Sequence, residues 1–322
     1  MTASAITPVP ISLYAEDIDA FAQSLGASFE RYGFAVLSGL FDKDGAGLDK
    51  TLVDQALDDT KAFFALPAET KMQYKVGVGG QRGYTPFGIE TAKGASHHDL
   101  KEFWHTGRDL PDGHPYRDYM PENVWPENVW PGEVSGFRDH VSELYTALDF
   151  LGKRVLKAIA LYLKLDPEFF TPTVREGNSV LRLLHYPPVT AAGESVRAGA
   201  HGDINVITLL MGAEEPGLQL QDRDGTWLPI TPPEGCIVIN IGDMLSRLTN
   251  GVLPSTIHRV VNPAKGRKDF SRYSTPFFLH FEPPYVIETL PNCITADRPN
   301  QFPDPITAED FLQQRLREIK LT

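Results

Sequence analysis

Residues 201–211 read His-Gly-Asp-Ile-Asn-Val-Ile-Thr-Leu-Leu-Met. The second half of that run, Ile-Thr-Leu-Leu-Met, is a short, mostly apolar strand signal. At its head His201 and Asp203 stand two apart, so in an extended segment one imidazole and one carboxylate point to the same face. With its own strand run at 205–211, comparable short runs lie on both sides, at 180–186, 217–221, 236–241, 256–261 and 272–281. Many short strands at this spacing predict a sandwich or barrel. Asn250-Gly251 adds a tight-turn signal of the kind that joins hairpin strands.

Upstream, the apolar period lengthens. Ile18, Phe21, Leu25, Phe29 and Tyr32 recur at steps of three or four and predict an amphipathic helix ended by Gly33. Phe34-Ala35-Val36-Leu37 follows as a short buried strand, and a second helix is expected over 48–66, before Pro67. The stretch 76–130 is rich in loop residues. Its glycines do not form a phosphate-cradling GxGxxG, because Arg82 stands where the third glycine belongs. Pro121-Glu122-Asn123-Val124-Trp125 is repeated at once as Pro126-Glu127-Asn128-Val129-Trp130, too short for a repeat fold and read as a surface-loop expansion. A long helix is expected over 134–165, with Phe137, Val141, Leu144, Leu148, Leu151, Val155 and Ile159 inward, and a last helix over 308–320. Helices, then strands, then a helix give an α+β fold with a β-barrel catalytic half. The division falls at 1–130 and 131–322, with the β core at about 178–285. No linker separates the parts, so they are expected to share one core.

Lys+Arg 30 against Asp+Glu 42 leaves a net charge of −12. Such a surface repels phosphate backbones and anionic lipid, so nucleic acid and membranes are not expected partners. Cys236 and Cys293 are the only cysteines, too few for a disulfide framework and without zinc-site spacing. The start has no basic segment leading into an apolar run. The most apolar long stretch, 150–165, contains Lys153, Arg154, Lys157 and Lys164 and cannot span a bilayer. The cytoplasm is the expected location.

Three fragments of the strand-rich half carry chemistry. His201-Gly202-Asp203 is the first. His258, within Thr256-Ile257-His258-Arg259-Val260-Val261, comes 55 positions after Asp203. Arg272-Tyr273-Ser274 puts a guanidinium and a hydroxyl on one strand face. Singly these are weak signals: a strand histidine is more often a hydrogen-bonded core residue, and an arginine a surface or ion-pair residue. Together, two imidazoles and a carboxylate on one side of an ion leave the opposite positions open, the arrangement of non-haem Fe(II) oxygenases. The absence of thiolate ligands argues against a structural zinc site.

With these motifs the chain resembles the 2-oxoglutarate/Fe(II)-dependent oxygenases of the isopenicillin N synthase type. The resemblance extends through Thr208-Leu209-Leu210, Gly217-Leu218-Gln219, Asn240-Ile241-Gly242-Asp243-Met244-Leu245 and Arg272-Tyr273-Ser274-Thr275-Pro276-Phe277-Phe278. It continues upstream in Gly33-Phe34, Phe63-Phe64-Ala65-Leu66-Pro67, Arg82-Gly83-Tyr84 and Asp99-Leu100-Lys101-Glu102. It implies a double-stranded β-helix (jelly-roll) core wrapped by N-terminal and C-terminal helices. It implies that His201, Asp203 and His258 bind Fe(II), that Arg272 and Ser274 anchor a carboxylate, and that Tyr186 hydrogen-bonds the co-substrate. The co-substrates would be 2-oxoglutarate and O2, and a small molecule would be oxidised with release of succinate and CO2. An arginine fork suits a carboxylate, and Ser274 adds one more donor.

Departures narrow the resemblance. Plant relatives carry Asn two residues before this tyrosine, where this chain has Leu184. The end, Lys320-Leu321-Thr322, lacks the glutamine of isopenicillin N synthase itself, which argues against that activity. Asp203 disfavours the halogenase variant. Arg-x-Ser is also compatible with an Fe(II) oxidase or ethylene-forming type that does not use 2-oxoglutarate, and the fold with a non-catalytic metal or ligand sensor. The intact triad with its anchor favours an enzyme over a sensor, and the dioxygenase is the reading adopted. For the prime substrate, alternation from Arg272 carries Phe278 and His280 to the same face, and Arg82 and Tyr84 match a substrate-binding segment of the family. Asp243 is expected only to cap a short helix.

Overall fold

Period-two alternation gives most strands of this protein two working faces, and the computed structural model uses both. It describes residues 6–42, 48–76, 82–89, 100–119, 125–188, 197–211, 217–262 and 271–318. In chain order the strands are β1 (Val9–Pro10), β2 (Phe34–Ser38), β3 (Lys75–Val76), β4 (Arg82–Thr85), β5 (Glu102–Gly107), β6 (Val180–Tyr186) and β7 (Ala198–His201). They continue as β8 (Ile207–Met211), β9 (Leu218–Gln221), β10 (Trp227–Pro229), β11 (Ile237–Ile241), β12 (His258–Val260) and β13 (Arg272–Leu279). A nine-stranded sheet runs β1-β2-β11-β8-β13-β6-β5-β4-β3, and a four-stranded sheet runs β10-β9-β12-β7. The β1–β2 pair is parallel; the other pairings of these two sheets are antiparallel.

The large sheet separates two apolar layers. On one face Phe34, Val36 and Val238 meet Ala198, Leu218, Leu220 and Val260 of the small sheet, which closes the jelly roll. On the other face Ile237, Ile239, Ile241, Leu209 and Phe277 pack with Val141, Leu148 and Val155 of the helix Phe137–Tyr162. The same layer takes in Phe21 and Phe63, so the N-terminal helices and the strand-rich half share one core. The fold is α+β with a double-stranded β-helix.

The helix over 18–32 forms as its period predicts, as Ile18–Tyr32, with Asp17 accepting from Ala20 N at 2.9 Å. Gly33 ends it at φ +67°, where a Cβ would meet Pro254 O at 2.4 Å. The next two expected helices are Lys50–Phe64 and Phe137–Tyr162, and the last runs Ala308–Glu318, with 319 and 320 outside the described residues. Three readings change. The loop-rich stretch contains β4 and β5, whose short runs become strands by pairing onward to β6. Asn250-Gly251 does not join a hairpin: it follows the helix Asp243–Leu248, with φ +52° and +72°. The duplicated segment is anchored rather than a plain surface expansion. Trp125 is buried and donates to Arg108 O, and Asn128 clasps the backbone of Gly107 at 2.9 and 2.8 Å. Residues 121–124, in the first copy, lie outside the described residues. Among the described residues no helix is long and apolar enough to cross a membrane.

Candidate metal centre and carboxylate pocket

Strands β7 and β12 pair so that His201 lies directly opposite His258, and their rings sit 4.4 Å apart, centroid to centroid. Asp203 is in the segment just beyond β7. The backbone of the β11–helix turn holds that segment: Asp243 N donates to Asp203 O at 2.7 Å, and Gly242 N to Val206 O at 2.9 Å. Gly242 has to be glycine for this approach, since a Cβ there would stand 2.0 Å from Asn205 O, which is backbone. His201 Nε2 and His258 Nε2 each lie 3.8 Å from Asp203 Oδ1, and one ligand atom from each residue falls within 4.8 Å of the others. Among the described residues this is the one such cluster of His, Cys, Asp and Glu.

The surroundings prepare these atoms for a cation. His201 Nδ1 meets Gly199 O at 2.7 Å, and His258 Nδ1 meets Thr256 O at 3.2 Å. A carbonyl only accepts, so both Nδ1 atoms carry the proton and both Nε2 lone pairs are left toward Asp203. Asp203 Oδ2 accepts from Thr208 Oγ1 at 2.5 Å and Asn240 Nδ2 at 2.8 Å, which fixes the carboxylate plane and leaves Oδ1 inward. Burial first, then the neighbouring His258, push His201 down to about 4. Burial pushes the Asp203 carboxyl up, but the two imidazoles and the bonds from Asn240 and Thr208 outweigh it and hold it below its ordinary value. A neutral imidazole beside an anionic carboxylate is the protonation that a divalent metal requires. Imidazole and carboxylate donors without thiolate fit Fe(II).

The residues expected to anchor a carboxylate lie on the barrel face of the large sheet. Arg272 opens β13, is 2% exposed, and donates from Nη1 to Ser274 Oγ at 3.2 Å. Its register partner is Tyr186, and its guanidinium stands 5.0 Å from that ring. Leu184, opposite Ser274, joins Phe103 and Tyr186 in a small apolar cluster, so the position of the plant amide is a hydrophobic wall. Farther along the same face, Arg182 of β6 packs against both Phe103 and Phe278, 4.3 and 5.3 Å from their centroids. His280 is half-buried, and burial pushes it down to about 4, with Asp203 acting in the opposite direction. By alternation along β13, Phe278 and the following His280 belong to the face of the sheet that carries Arg272 and Ser274.

Arg82 and Tyr84 do not. Tyr84 packs on Phe63 of the helical layer and donates to Glu102 at 2.5 Å. Arg82, two residues away, shares that face and is fully buried. Its guanidinium covers Gly107, where a Cβ would come within 1.9 Å, and Tyr145 acts on its charge. Both are core residues behind the sheet, which corrects the substrate-contact expectation. Asp243 is not the cap expected of it: Gly242 is the N-cap and no side chain caps this helix end, while Asp243 bonds through its backbone to Asp203 and pairs with Arg315 of the C-terminal helix at 3.0 Å.

Sequence reasoning assigned no role to Thr208, Asn240 or Arg197. Thr208 and Asn240 are the register pair of β8 and β11, polar side chains inside apolar strands, and that contrast is a readable signal. Arg197 is fully buried, 6.0 Å from the Tyr186 ring, and nothing in its neighbourhood in sequence marks it.

Residues 8–128 match the family model for the N-terminal region of non-haem dioxygenase in morphine synthesis, and residues 177–281 match that of the 2OG-Fe(II) oxygenase superfamily. The chain is 37% identical over 285 residues to the 2-oxoglutarate-Fe(II) type oxidoreductase hxnY of Emericella nidulans, spanning 86% of this chain and 80% of that one. It is similar to the crystal structure of a 2OG-Fe(II) oxygenase family protein from Caulobacter crescentus, with 63% identity, a TM-score of 0.89 and coverage of 98% and 100%. It is also similar to full-length Neurospora crassa T7H in complex with alpha-KG and thymine, with 28% identity, a TM-score of 0.82 and coverage of 97% and 96%.

Proposed function

The chain belongs to the 2OG-Fe(II) oxygenase superfamily, and from that premise we propose that His201, Asp203 and His258 hold the iron while Arg272 and Ser274 receive the far carboxylate of 2-oxoglutarate beside Tyr186. The protein is a non-haem Fe(II)- and 2-oxoglutarate-dependent dioxygenase that oxidises a small molecule with release of succinate and CO2. The reading of its site is supported above all by one observation: three ligand atoms converge within 4.8 Å, with both Nδ1 atoms already engaged by backbone carbonyls.

When bound, Fe(II) supplies the oxygen-activating redox chemistry. The chain's own residues do the rest. Asp203 brings the negative charge, and Thr208 and Asn240 aim it. Arg272 offers a planar fork in a buried setting, where a charge-assisted bond to a carboxylate is strong. Phe278 and His280 form the wall for the prime substrate. A small molecule is supported by the thymine complex of T7H. The net charge of −12 and the buried thiols of Cys236 and Cys293 support a cytoplasmic protein that acts on neither nucleic acid nor membranes. The isopenicillin N synthase-like branch, and the division into 1–130 and 131–322, belong to the same proposal.

Anaerobic titration tests it. Wild type is expected to take up about one Fe(II) per chain, and His201→Ala and His258→Ala are expected to lose most of that binding, since each removes one of three ligands. Arg272→Ala is expected to weaken 2-oxoglutarate binding by about 100-fold or more, and Arg272→Lys to recover only part. Full-strength iron binding in both histidine variants, or unchanged 2-oxoglutarate affinity in Arg272→Ala, would move the respective site elsewhere.

A further inference from the structure

Behind the carboxylate pocket, on the helical face of the large sheet, lies a buried polar chain that the chemistry above does not use. Glu102, at the head of β5, is its centre. Its Oε2 accepts from Lys71 Nζ at 2.8 Å and from the Tyr84 hydroxyl, and its Oε1 accepts from His185 Nδ1 at 2.8 Å. With Nδ1 donating, His185 Nε2 is left to accept from the Ser271 hydroxyl at 2.9 Å. The His185 ring also stacks on Tyr273 at 4.8 Å with the planes 12° apart. Two strand junctions are tied at this point. Glu102 is the register partner of His185, and His185 is the register partner of Tyr273.

We propose that Glu102, His185 and Ser271 form a positioning relay for the co-substrate anchor. It locks the start of β13 against the end of β6, so that Arg272 and Tyr186, one residue along and on the opposite face, point into the pocket. The inference rests on the reading of Arg272 given above. The alternation of strands supplies the reason: Ser271 and Tyr273 flank Arg272, and His185 precedes Tyr186, so fixing the rear residues fixes the direction of the front ones. Carboxylate, imidazole and hydroxyl in this order also occur where a serine is activated as a nucleophile. Here the Glu102 charge is already engaged by Lys71 and Tyr84 and is not reserved for an imidazolium, so the chain serves position rather than attack. Glu102 and His185 lie on the face opposite Tyr186 and Arg272, and Ser271 reaches that face through His185, so the three are positioning residues.

The test compares Ser271→Ala, Ser271→Thr, Glu102→Gln and Arg272→Ala in the full chain by anaerobic calorimetry. Iron affinity is measured first, then 2-oxoglutarate affinity in the iron-loaded protein. Ser271→Ala removes one neutral hydrogen bond and is expected to weaken 2-oxoglutarate about 5-fold, with Ser271→Thr restoring it. Glu102→Gln leaves His185 and Lys71 without their charged partner and is expected to weaken 2-oxoglutarate more than 10-fold. Iron affinity in both is expected to stay within about twofold of wild type, because the metal residues sit on other strands. A merely structural role would lower melting temperature and weaken both ligands together. If Glu102→Gln fails to fold, the Ser271 pair decides. Wild-type 2-oxoglutarate affinity in Ser271→Ala, with Arg272→Ala impaired, overturns the relay and leaves the anchor standing. Wild-type affinity in Arg272→Ala overturns both.

Discussion

Asp203 uses its two oxygens differently, and that asymmetry is open to measurement. Oδ1 faces the imidazoles, while Oδ2 is held by Thr208 and Asn240. Thr208→Val keeps shape but deletes the donor, and partners of this kind typically contribute about 10- to 100-fold to metal affinity. The variant is expected to bind Fe(II) weaker by that amount in anaerobic titration while its melting temperature stays close to wild type; Thr208→Ser is expected to keep the affinity. The His201–Asp203 and Arg272–Ser274 pairs were legible because residues two apart in a strand share a face. Arg82 and Tyr84 obey the same rule and were misplaced, because alternation says which residues face together and not which side of a sheet they face. Only the packing of Tyr84 on Phe63 decides that.

Strand β5 carries a buried carboxylate, Glu102, tied to β6 through His185, so this junction gives stability a distinctive acid limb. Burial alone would raise the Glu102 carboxyl, but bonds from His185, Lys71 and Tyr84, with the charge of Lys71, hold it below its ordinary value of 4.5. A carboxyl lowered in the folded state contributes stability that is fully present above its unfolded value and is lost as pH falls through the folded one. Wild type is therefore expected to lose stability below that ordinary value, and Glu102→Gln to be less stable at neutral pH with a shallower decline into acid. Urea midpoints taken from pH 7 to pH 3 check this, and parallel declines would sink it. At this scale the long helices were legible from their period. β4 and β5 were not, because a strand as short as Arg82–Thr85 carries too few residues for a pattern and exists through its neighbours.

The whole molecule is one large sheet shared between a helical layer and a jelly-roll interior, and the His201–Asp203–His258 cluster lies on the interior side. Strand spacing made the barrel legible; the extension of its large sheet by N-terminal strands depends on pairings such as Val36 with Val238 that no local pattern announces. Because His201, Asp203 and His258 come together only in the folded state, a divalent ion bound there at 100 times its dissociation constant is expected to add about 2.7 kcal/mol of stability. The melting temperature should rise on adding Fe(II) under nitrogen, fall on chelation, and stay flat in His258→Ala; an equal rise in that variant would mean the ion binds elsewhere. One further consequence lies in the pairing of His201 with His258 across β7 and β12. A slip of one residue between these strands would turn one imidazole to the opposite face. An ion held by these residues would therefore proofread the zipping of the small sheet: a mispaired chain would offer it half a site, and the binding energy would accrue only to the chain closed in native alignment. Refolding with the metal present would then select among misaligned sheets as well as stabilise the finished one.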